Sequence, residues 1–167
     1  MNARRGAAVR RTVAMVTTVL LTMTGCVTQE HIRSRARDHA VDTVREQARH
    51  AQEQTAAELA GDPDGRDVPA LVARLRTSLD QAVGPGGSVL SAASAADGTI
   101  RADLTFVAIG EAGGAGSSAS VTVRLCATVE GRPAPRPVAS LRDLPCPSNA
   151  PTRPGYQSID EVVTLSD

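Results

Sequence analysis

Two stretches decide the fold: TIRADLTFVAI, residues 99–109, and ASVTVRLCATV, residues 119–129. Both alternate, the first until Val107 and Ile109 place apolar side chains on its polar side as well. In the first, Ile100, Ala102, Leu104, Phe106 and Ala108 share one side, with Arg101, Asp103 and Thr105 on the other. In the second, Val121, Val123, Leu125, Ala127 and Val129 share a side, with Thr122, Arg124 and Cys126 opposite. Period-two alternation of this kind marks strands with one face turned to a core. Ala96-Asp97-Gly98 is a glycine-containing hairpin turn that pairs the first stretch with a weaker strand at Ser88–Ser94. The Gly/Ser-rich run 110–118 reads as the loop between the two main strands. Val138–Leu144 reads as a short edge strand and Ser158–Leu165 as a final one, separated by an irregular segment 147–157 with three prolines.

Upstream the period becomes helical. Residues 29–60 contain no Gly or Pro, and Thr28 is an N-cap candidate. Val41, Val44, Ala48, Ala51 and Thr55 recur at three-to-four spacing and form one narrow apolar face. A second helix fits 68–83, with Asp67 as cap, Pro69 in its first turn and an apolar stripe of Leu71, Val72, Leu75 and Leu79. Gly84-Pro85-Gly86-Gly87 ends it. The expected fold is α+β: two N-terminal helices packed on a three-to-five-stranded antiparallel sheet.

Ahead of these elements lies a different kind of segment. Arg4, Arg5, Arg10 and Arg11 precede the apolar run TVAMVTTVLLT at 12–22, which is too short for a spanning helix. Met23-Thr24-Gly25-Cys26 follows. This tetrapeptide resembles the bacterial lipobox, with Met where Leu is usual. The small residues before the cysteine admit a peptidase to the backbone, and the thiol accepts a diacylglyceryl group. Arg10-Arg11 followed by Thr-Val-Ala is a poor match to a twin-arginine export signal. The resemblance implies a cleaved signal peptide over 1–25 and lipidation at Cys26. The expected organisation continues with an anchor-proximal helical stalk over 26–40 and a single α+β domain over 41–167. In layout the chain also resembles small actinobacterial lipoproteins, a likeness that carries no functional residues.

With Cys26 assigned to lipid, Cys126 and Cys146 remain as an even pair, and in an oxidising compartment they form a disulfide. Cys126 faces away from the apolar set. The bond is therefore expected to hold the proline-rich return 131–137 near the outer face or an edge.

Charge narrows the partners. All 18 basic residues are arginine; four precede Cys26 and no acid does, so the chain from Cys26 onward carries 14 Arg against 18 acids, a charge of −4. Phosphate neutralisation needs a basic face, so nucleic acid is not an expected partner. The membrane, reached through the lipid, is. A protein or small-molecule ligand is left open, and no cofactor is expected.

The search for chemistry returns little. His39, Asp42, Glu46 and His50 fall on one helical stripe and are the weak metal-ligand candidates; a solvated face paired with Arg35, Arg45 and Arg49 is the simpler reading, because a single exposed helix face seldom encloses a metal. Residues 114–119 fit the loose G-x-G-x-x-[GA] pattern, but a strand-like segment follows where a dinucleotide site needs a helix. There is no G-x-S-x-G, and the absence of lysine removes S-x-x-K and the P-loop. Phe106 reads as core and Tyr156 as a contact residue. The expected function is a lipid-anchored, non-catalytic extracytoplasmic binding or surface module. An envelope hydrolase with a site not recognisable from sequence is the alternative.

Overall fold

In a computed structural model the described residues are 5–61, 67–114, 116–133, 137–153, 155, 156 and 158–166; of residues 5–28 the backbone alone is described. The elements are α1 (Arg5–Ala60), α2 (Val68–Ala82), β1 (Ser88–Ser94), β2 (Ile100–Gly114), β3 (Ser117–Arg132), β4 (Val138–Asp143) and β5 (Glu161–Val163). The class is α+β, with two helices and one five-stranded sheet.

The sheet runs β1-β2-β3-β4 with every neighbour antiparallel. The fifth strand corrects the all-antiparallel expectation: β5 pairs with β3 in parallel, through Val123–Glu161, Arg124–Val162 and Leu125–Val163. β4 and β5 lie end to end along one edge of β3, β4 against Ala127–Arg132 and β5 against Val123–Leu125. That long edge is therefore capped by two short strands, which limits unpaired backbone open to another chain.

The loop predicted at 110–118 is strand for most of its length. β2 and β3 stay in register from Ile100–Gly131 to Gly114–Ser117, and Gly116 turns the chain at φ 84°. Glycine and serine lower strand propensity, but backbone pairing with a partner strand outweighs it. The pattern at 114–119 is thus a hairpin tip with no helix after it.

The first helix also departs from expectation. Thr28 does not start it, because α1 is continuous from Arg5; the segment ahead of Thr28 contains no proline to interrupt the ladder. The stalk ends sooner than residue 40. Ile32, Ala36 and Ala40 are buried together with Val41, Val44, Ala48, Ala51, Thr55 and Leu59. The apolar spacing extends back through small alanines, which bury little area each and are easy to miss.

These alanines allow close approach. A side chain on Gly110 of β2 would run into the backbone of Ala36 and Ala40. At the other end, Gly131 of β3 faces Leu59, and Gln52 Nε2 donates to Ala139 O at 2.8 Å. Twenty-three residues of helix from Ala36 to Leu59 rise roughly 35 Å, and ten residues of strand from Ile100 to Gly110 span roughly 33 Å. The helix therefore runs nearly parallel to the β2–β3 hairpin. α2 begins where expected: Asp67 Oδ1 accepts the Ala70 N–H at 3.0 Å, and Leu71, Leu75 and Leu79 are buried.

Candidate functional site

The face of the sheet turned away from the core is a ladder of cross-strand pairs. From one end it reads Arg101–Glu130, Asp103–Thr128, Thr105–Cys126, Val107–Arg124, Ile109–Thr122, Glu111–Ser120 and Gly113–Ser118. Charge is concentrated at the first end. Asp103 accepts from Thr128 Oγ1 at 2.7 Å, Ser91 Oγ at 3.0 Å and Arg101 Nε at 3.3 Å. Partial burial pushes the Asp103 carboxyl up, but these three hydrogen bonds outweigh it and hold the group below the ordinary aspartate value. At the neighbouring turn Asp97 accepts the Thr99 N–H and hydroxyl and pairs with Arg132. The backbone bond from Thr99 is the largest of the effects lowering its pKa.

The middle of this face is covered. Thr105, Val107, Arg124, Cys126 and Thr128 are buried although the parity of their strands points them outward. The cover is a strap, described at residues 144–153, 155, 156 and 158–160 and tethered on both margins. Leu144 donates its N–H to Cys126 O at 3.0 Å, and Cys146 is bonded to Cys126 with Cα atoms 5.3 Å apart. The strap then reaches the far side, where Arg153 meets Asp80 of α2 at 3.2 Å and the Tyr156 ring rests against Gly86. It returns through Asp160, whose N–H donates to Thr122 O and whose Oδ2 accepts the Thr122 N–H at 2.8 Å. Two buried polar atoms on this face, Thr105 Oγ1 and Arg124 Nε, have no hydrogen-bond partner among the described residues.

The disulfide pairing is thus as expected from cysteine count. The bond closes residues 126–146 into one loop that contains the return expected at 131–137, of which 134–136 lie outside the described residues, and it also fixes the start of the strap at Cys146. The Tyr156 ring packs within the molecule, against Gly86. Phe106 is core.

The histidine–carboxylate stripe is dispersed. His39, Asp42, Glu46 and His50 are all exposed. Glu46 and His50 join Gln47, Glu53 and Ala82 in lining an open groove of about 640 Å³ beside the end of α2, and His39 and Asp42 are not part of it. Among the described residues no three His, Cys, Asp or Glu side chains stand where they could hold a metal. The side chain of Cys26 lies outside the described residues.

Sequence reasoning missed two features. The Asp103–Thr128–Arg101 cluster depends on cross-strand register, which alternation alone does not supply. The clamp of Arg37 on Glu161, at 2.7 and 2.6 Å, joins residues 124 positions apart and ties β5 to α1. Among the described residues no helix is long and apolar enough to cross a membrane. No known protein family, curated protein or solved structure matches the chain.

Proposed function

We propose that the mature protein starts at Cys26, is held by lipid on that cysteine at the outer side of the cell membrane, and serves there as a non-catalytic binding or structural module. The observation that carries this reading is Met23-Thr24-Gly25-Cys26 directly after a short apolar run and four arginines. Small-residue lipobox chemistry needs that order. The cysteine bookkeeping supports it: Cys126 and Cys146 bond to each other, so Cys26 is the remaining thiol of three. A disulfide also suits an oxidising compartment. Two or more acyl chains at ~0.8 kcal/mol per buried CH₂ anchor a small protein stably.

We also read α1 and α2 as one layer on a single face of the sheet. Leu59 of α1, Leu75 and Leu79 of α2, and Leu104, Phe106 and Leu125 of the strands belong to one continuous core. The strapped outer face would then be the surface left for a partner.

A Cys26→Ala variant tests the anchor. It is expected to lose metabolic lipid labelling and to leave the membrane fraction. Unchanged labelling and fractionation would sink the reading.

A further inference from the structure

We infer that the tip of the β2–β3 hairpin rests at the headgroup surface of the membrane that carries the anchor, so that the domain stands on the bilayer and not above it. This rests on the anchor reading of Cys26. The geometry behind it is the register of α1 on the sheet. Gly110 meets α1 at Ala36 and Ala40. From Ala36 back to Gln29 the helix rises roughly 10 Å, and from Gly110 forward to Gly114 the strand advances roughly 13 Å. Gln29 and the hairpin tip are therefore level to within a few ångströms. Three residues separate Gln29 from Cys26, at most ~11 Å even fully extended. A lipid on Cys26 thus brings the bilayer surface to the tip. The burial of Ile32 and Ala36 removes the slack that a free stalk would supply.

An independent asymmetry agrees with this orientation. From Ala112 to Val123 the chain carries no charged residue. The opposite end of the same two strands carries the Asp97–Arg132, Arg101–Asp103 and Arg101–Glu130 pairs. A chain of charge −4 is repelled by anionic lipid. The tip itself, between Glu111 and Arg124, has no charge to desolvate, and Glu111, the charged hairpin residue nearest to it, is exposed three positions short of Gly114. The roughly 45 Å between Gly114 and Ile100 keeps the charged end in water.

The test uses the full, lipidated chain in vesicles of phosphatidylethanolamine and phosphatidylglycerol. A small fluorophore is placed at Ser118→Cys, at Ser120→Cys, or at Ala96→Cys, all at exposed positions. Lipids bearing a quencher near the headgroup should quench the labels at 118 and 120 at least threefold more than the label at 96. Flotation is measured on the same samples. Protein that floats with equal quenching at all three positions overturns the placement while leaving the anchor intact. Protein that fails to float overturns the anchor reading, and the placement with it.

Discussion

Gly110 has no room for a side chain, because the backbone of α1 at Ala36 and Ala40 occupies that space. Gly110→Ala should cost roughly 3 kcal/mol, since relief requires moving a helix. Gly114, four residues along the same strand, has nothing within 4 Å of an added Cβ and no positive φ. Gly114→Ala should be neutral or stabilise by about 0.5 kcal/mol through the unfolded chain. Urea denaturation of the two variants checks this contrast. In the sequence both glycines look like loop residues, and nothing in period or composition separates them. The difference arises from a contact between residues 70 and 74 positions apart. Asp103 supplies a second residue-scale prediction. Its folded-state pKa is lowered, so its contribution is present above the ordinary aspartate value of 3.8 and is lost as pH falls through the folded value. Asp103→Asn should therefore destabilise at pH 6, on the order of 1–2 kcal/mol. The gap from the parent should narrow below about pH 4. A gap independent of pH would contradict the assignment.

At the scale of elements, the strap and its disulfide govern the outer face. The bond joins residues 20 positions apart, so replacing both cysteines by serine should lower stability by about 3 kcal/mol. Hydrogen exchange at Thr122 and Leu144 should rise in that variant, because both amides bond at the strap's ends. Arg37 and Glu161 join α1 to β5, but their side chains are 41% and 36% exposed. A double-mutant cycle should give a coupling below about 1 kcal/mol. Most elements were legible because their signals are local. Asp67 caps α2 from its own position, and the alternation of Ile100–Ala108 and Val121–Val129 defines the inner face of the strands. The parallel placement of β5 was not legible. Three residues, Glu161–Val163, leave no periodic trace, and their position follows from Arg37 on α1 and from Asp160 against Thr122. The extension of β2 through 110–114 and of β3 back to Ser117 was hidden for a related reason: backbone pairing, not side-chain pattern, holds it. Cys126 and Cys146 could be paired by counting, whereas the strap they restrain could be seen only once its crossing to Asp80 and Gly86 was known.

At the scale of the whole molecule, α1 runs along the long β2–β3 hairpin, whose tip from Ala112 to Val123 carries no charged residue while its other end carries the Asp97–Arg132, Arg101–Asp103 and Arg101–Glu130 pairs. The stalk inferred from a polar helix disappears once Ile32, Ala36 and Ala40 are seen to be buried. On the proposed anchor the consequence is mechanical: a tether at Cys26 would have little slack, because burial begins at Ile32. Everything about location then depends on what Cys26 carries. Intact-mass spectrometry of the protein purified from its own membrane, with the N-terminal peptide sequenced, addresses this directly. The account predicts a chain that begins at Cys26 with a diacylglyceryl group on its sulfur and an intact Cys126–Cys146 bond. A chain that retains residues 1–25, or that carries an unmodified Cys26, would contradict it.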